Sequence, residues 1–217
     1  MLKILVLLSS LFFLGCGNNM PNQEEETSAD LIDYESLKEQ LETIYDVDQV
    51  PREKMSKMYE ESKTFDPALM KEMVISDSIN LVKVLAILEN YGWLPMSKIG
   101  EKASDALFLV IQHSDAETME KYLPELKKQA TKNEAKKSDA AMMEDRVLTN
   151  NHKKQLYGTQ ALSRQKKDGS QEFFIWPIEH PESVNERRAE AGFELTVEEN
   201  AKRLNAIYNP KEEMPEK

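Results

Sequence analysis

The chain has 217 residues, 40% hydrophobic and 31% charged, with 28 basic against 39 acidic side chains and a formal charge of -11. That apolar content excludes a wholly disordered chain and suits one domain with appendages. The acidic balance excludes nucleic acid, whose phosphates need Lys and Arg to displace counterions, and excludes an electrostatic binder of anionic headgroups.

From the start, Met1-Leu2-Lys3 precedes an apolar run of 11 residues (4–14), then Gly15 and Cys16. A charged start, a short apolar stretch and a small residue before the cut site make a secretory signal. The run is well short of the ~20 residues a spanning helix requires. Leu14-Gly15-Cys16 resembles the lipobox of bacterial lipoproteins, with Phe13 standing where Leu is usual. The resemblance implies a signal peptide cleaved after residue 15. It implies acylation of the Cys16 thiol and amine, with palmitate-type chains as the contact with the membrane. It also implies a place in the cell envelope. Gly17 replaces the Asp that retains some lipoproteins in the inner membrane, which implies the outer membrane, facing the periplasm or the surface. As the only cysteine, Cys16 leaves no internal disulfide. Residues 16–30, with Asn18, Asn19, Pro21 and Glu24-Glu25-Glu26, lack an apolar period and read as a flexible acidic tether.

Helical spacing begins at Leu37, Leu41, Ile44 and Tyr45, with a weaker stripe at Met55, Met58 and Tyr59. Asp66-Pro67 reads as a short turn. Ser76 or Asp77 is placed to cap a helix through Ile79, Val82, Leu85, Ala86 and Leu88, which Gly92 ends. After an extended Trp93-Leu94-Pro95, Ala103, Ala106, Leu107, Val110 and Ile111 build another apolar helix. Ser114-Asp115-Ala116-Glu117 is a capping-box pattern opening the next, where Pro124 predicts a kink. Ser138 is placed to cap a helix containing Ala141, Met142 and Val147. Segments 155–163 and 171–177, separated by Asp168-Gly169, predict a β-hairpin. Helical pieces follow at 184–191 and 197–207, the second opened by a Thr196…Glu199 box, and the tail at 210–217 reads as frayed. The fold class expected is mainly α: a single helical domain over 31–209 with one small β-hairpin in the C-terminal third.

No metalloprotease, nucleophile-elbow, phosphate-loop or dinucleotide pattern is present. An acylated Cys16 excludes a thiol nucleophile and a thiolate zinc site. His113, His152 and His180 are widely spaced, so no metal and no cofactor is expected. The unusual polar residues sit on apolar elements. Gln112 and His113 end the helix of Leu107 and Ile111, and Asp145 and Arg146 interrupt Met142, Met143 and Val147. Gln155, Tyr157, Gly158, Thr159 and Gln160 gather where helix gives way to hairpin. Each also has a plainer reading. His113 can interact with its own helix dipole. Asp145 and Arg146 point about 100° apart on a helix and can each be paired elsewhere. Tyr157 and Thr159 can begin a strand, with Gly158 permitting a close approach. Trp93 and the Met pairs suit a core.

Gly92-Trp93-Leu94-Pro95, Ile99-Gly100, Gln112-His113, Asp145-Arg146 and Gln155-Leu156-Tyr157-Gly158-Thr159-Gln160 together resemble the successive motifs of a bacterial domain-of-unknown-function family. The resemblance runs over roughly residues 75–207 and includes Pro177, Arg187 and Arg188. It implies a mostly helical domain, often exported or lipid-anchored, and brings no activity with it. Three functions stay open. The leading one is a non-catalytic binding or interaction module, with no enzymatic activity. A pocket of Gln112, His113, Arg146, Gln155, Tyr157 and Gln160 would take a small polar ligand or a peptide end, or meet an envelope protein. Another is a metal-independent hydrolase or transferase. His113 would be its general base and Asp145 the orienting carboxylate, with Tyr157 or Arg146 stabilising developing charge. In the third, the polar residues form a buried network that fixes how the hairpin docks.

Overall fold

The computed structural model describes residues 32–62, 64–166 and 168–215. The signal segment, Cys16 and the tether fall outside them. The described chain runs α1 (Tyr34–Ser62), α2 (Pro67–Tyr91), α3 (Met96–Ile99), α4 (Glu101–Gln112), α5 (Ala116–Thr131), α6 (Lys137–Asn150), β1 (Ala161–Gln165), β2 (Gln171–Ile175), α7 (Val184–Glu190) and α8 (Val197–Arg203). The fold is mainly α. Among the described residues its one sheet is the antiparallel β1–β2 hairpin, with Ala161 opposite Ile175 and Gln165 opposite Gln171.

The core forms around α4, which buries Ala103, Ala106, Leu107, Phe108, Val110 and Ile111 and touches α1, α2, α3 and α5. Its alanines let neighbouring helices approach, while Leu107 and Ile111 are fully enclosed and each contribute roughly 1.5–3 kcal/mol by leaving water. A smaller cluster of Ile175, Ile178, Val184, Val197 and Ala201 lies between the hairpin, α7 and α8.

Several element boundaries differ from the sequence expectation, each for a local reason. The two stripes of residues 37–45 and 55–59 belong to one helix, α1, which continues across Pro51 and buries Leu37, Leu41, Ile44 and Met55. Asp66-Pro67 is a helix start rather than a turn. The Asp66 carboxylate accepts from the N–H groups of Ala68 and Leu69, and Pro67 takes the first helical position, where no N–H is needed. Ser76 and Asp77 therefore lie inside α2 and cap nothing. Asp115, not Ser114, caps α5, accepting from Thr118 N–H, and α5 runs on through Pro124. Ser138 lies inside α6, whose N-cap is Lys136. Gly92 ends α2 at φ 70°, a conformation that favours glycine. The Thr196–Glu199 capping box is formed in both directions. However, α8 stops at Arg203, because Ile207 N–H is donated to Phe173 and Ile207 O accepts from Ile175. The tail is tied down at Glu212, 2.6 Å from Arg164 of β1. None of the described helices is long and apolar enough to cross a membrane.

Candidate functional site

Residues 155–160 are the last six of the connection between α6 and β1, and side chains from three helices converge on their backbone. Asp145 of α6, fully buried, accepts from Leu156 N–H at 2.7 Å, Tyr157 N–H at 3.0 Å, and both the N–H (3.0 Å) and hydroxyl (2.9 Å) of Thr159. From α7, Arg187 donates to Leu156 O, and the buried Arg188 donates to Tyr157 O at 2.7 Å while lying over the Phe193 ring. From α8, Asn200 donates to Gly158 O at 3.0 Å. Gln155 closes the loop on itself, donating to Gln160 O and Trp176 O and accepting from Gln160 N–H. Gly158 sits at φ +68°, and a Cβ there would lie 2.6 Å from Val197 Cγ2. These bonds explain why β1 begins only at Ala161. The bonded backbone groups of residues 156–159 are met by side chains instead of a ladder, while Gln155 pairs with the main chain of Pro177 and Glu179. Burial pushes the Asp145 carboxyl up in pKa, and the donors of Thr159, Leu156 and Tyr157 oppose that shift. With both oxygens accepting from the loop, Asp145 is an internal clamp.

Arg146, next on α6, reaches the other way. Its Nε donates to Gln160 Oε1 at 3.2 Å and its Nη1 to the Gln112 carbonyl at 3.3 Å. Among the described residues it has no carboxylate partner. Its position at the C-terminal end of α4 lets the helix dipole balance the charge in part. Gln112 is 2% exposed, and neither end of its amide has a hydrogen-bond partner among the described residues. Thus Gln112, Arg146, Gln160 and Gln155 join in one chain of bonds linking α4, α6 and the hairpin. Tyr157 lies apart from it, in a groove of about 340 Å³ with Lys127, Glu144 and Arg187.

His113, like Tyr157, keeps an open side. At the end of α4, its Nδ1 lies 3.2 Å from Asp48 Oδ1, on α1. The carboxylate that meets the imidazole is therefore Asp48, while Asp145, expected in that role, is bound to the 155–160 loop. Asp48 is 1% exposed. One helical turn on, Arg52 places Nη1 3.1 Å from Asp48 Oδ1, and its Nη2 donates to both Asp77 oxygens at 2.9 and 2.8 Å. Burial pushes the Asp48 carboxyl up, but the hydrogen bond and charge of His113 and the charge of Arg52 outweigh it and hold the group below the usual carboxylate range. Nδ1, facing the Asp48 carboxylate, is the ring nitrogen that carries a hydrogen towards it, which leaves Nε2 for another partner. Nε2 has no partner among the described residues. The ring borders a cleft of about 190 Å³ lined also by Asp48, Asp77, Ser78, Leu81 and Asp115.

Ligand atoms of Asp48, Asp77 and His113 lie within 4.8 Å of one another, spacing that a metal ion could use. The Arg52 guanidinium already stands between the two carboxylates and supplies their positive charge. That donor set is an arginine-locked acid pair beside a histidine. Sequence reasoning missed Asp48, Arg52 and Asp77. A signal for Asp48 was present: it falls in register with Leu37, Leu41, Ile44 and Met55 on the apolar face of α1. A carboxylate at a core position needs a buried partner.

A family of unknown function, DUF6624, matches residues 35–212, a span that takes in Asp48 and Arg52 as well as the later motifs. No curated protein and no solved structure matches the chain.

Proposed function

The chain belongs to the DUF6624 family, and we propose that its helical domain is a binding module taking a small polar ligand in the cleft between α1, α2 and α4, held in the cell envelope through an acylated Cys16. The observation that carries the ligand site is His113, oriented through Nδ1 by the buried Asp48 and unpartnered at Nε2 beside the cleft. Three carboxylates, Asp48, Asp77 and Asp115, line the cleft, and the guanidinium of Arg52 bonds two of them. That excess of negative charge favours ligands rich in hydroxyl, amide or amine donors over anions. The anchor rests on the lipobox resemblance of Leu14-Gly15-Cys16.

The test is a thermal-shift screen of the full chain against small amines, amides and polyols. Compounds that raise Tm in the wild type should lose their effect in His113→Ala and Asp48→Asn and keep it in Gln160→Ala. Equal shifts in all four proteins would remove the ligand from this cleft. The Asp48–His113 distance also favours a second reading, a metal-independent hydrolase or transferase with His113 as general base and Asp48 as its orienting group. Turnover of a screened ester or amide falling about 10²–10⁴-fold in His113→Ala would establish that chemistry.

A further inference from the structure

Another surface lies on the outer side of α2 and adjoins the cleft at Ser78. Ile75 and Ile79 are each 51% exposed and Val82 70%, and Ala86 is exposed beside them. These positions step by four, three and four residues, the spacing of a coiled-coil seam. The opposite side of α2, with Leu69, Val84, Ile87 and Leu88, is buried against the rest of the domain. Val47 of α1 borders the exposed face. With Ile79 and Lys83 it lines a hollow of about 280 Å³. In the wall of that hollow the Asn80 Nδ2 is buried without a hydrogen-bond partner among the described residues. A helix that is apolar on both sides has the pattern of one buried on both sides.

We propose that this face docks a second copy of the chain, α2 packing antiparallel on α2 about a two-fold axis near Ser78. The charges of the face are self-complementary in this arrangement. Lys71 and Glu72 flank one end of the stripe, Lys83 and Glu89 the other. Antiparallel packing about Ser78 sets Glu72 level with Lys83 of the second copy and Lys71 near its Glu89, and symmetry repeats both pairs. The face is balanced, two lysines against two glutamates, so the chain's charge of -11 is not concentrated where the copies meet. A lipid surface fits less well, because Glu72 and Glu89 would be driven against anionic headgroups. Ser78, with its small side chain, lets the two backbones approach at the crossing point.

Disulfide trapping tests this in the full chain. Ser78→Cys, close to the axis, should oxidise to a covalent dimer at twice the mass of the single chain, because Cα atoms within about 4.4–6.8 Å can be bridged. Wild type, carrying Cys16 alone, and Lys128→Cys, on α5, are the controls and should not give that product. The double change Ile79→Glu with Val82→Glu should weaken self-association at least tenfold in sedimentation while leaving the helical circular dichroism unchanged. A Ser78→Cys chain that cross-links no better than the controls overturns the proposal. So does an unaltered association constant in the glutamate variant, or a chain that stays monomeric and has this face protected only by phosphatidylglycerol vesicles.

Discussion

Asp139 illustrates how a single buried carboxyl couples the fold to pH. It lies in the first turn of α6, 8% exposed. Burial first, then the nearby charges of Asp105 and Glu101, push its pKa up to about 7 against the opposing charge of Lys136. The folded chain therefore keeps a proton that the unfolded chain has already lost. The stabilisation is complete below the unfolded pKa of 3.8 and is lost as pH rises through about 7. Asp139→Asn should raise stability at pH 8 by roughly 1–3 kcal/mol, and the gain should vanish towards pH 4. Urea melts at the two pH values check this, and an equal gain at both would refute the coupling. Asp48 behaves in the opposite sense. Its carboxyl is held low, so its share of stability is present above the unfolded pKa and disappears as pH falls through the folded one.

At the scale of elements, the 155–160 loop is fixed by Asp145 more than by any strand pairing. Asp145→Asn would turn an amide N–H₂ towards backbone donors and leave two of them unpaired in the interior. A loss of about 2–4 kcal/mol in urea unfolding is expected, with the hairpin amides losing hydrogen-exchange protection before those of α4. A loss spread evenly over both regions would show that the loop is not a separate clamp. Elements specified by local chemistry were legible: the apolar period of α4, the Gly92 stop, the Asp168-Gly169 turn and the Thr196 box. Asp66-Pro67 was misread because the same dipeptide serves as a turn and as an N-cap followed by a first-turn proline. The candidate residues were legible in part. His113, Asp145, Arg146 and Gln155 stand out as polar groups at apolar positions, but which groups they meet depends on tertiary contacts. Asp48 lies 65 residues from His113, and no local spacing reports that distance.

The whole molecule combines a strongly acidic domain with a lipobox-like start. The chain's charge of -11 would repel anionic headgroups, so the proposed attachment rests on acyl chains, at ~0.8 kcal/mol for each buried methylene. Cys16→Ser in the full chain should move the protein from the detergent fraction of a bacterial lysate to the aqueous one, and mass spectrometry should find no acyl mass on it. Persistence of the variant in the detergent fraction would mean another means of attachment. The 155–160 loop carries a consequence in time as well as in space. Its backbone is satisfied by Asp145, which precedes it in the chain, and by Arg187, Arg188 and Asn200, which follow. A chain emerging from its N-terminus can assemble α1 to α6 while the loop still lacks half its partners. The hairpin must then wait for α7 and α8. The last steps of synthesis, and any protease acting before α8 arrives, therefore decide whether the C-terminal third closes.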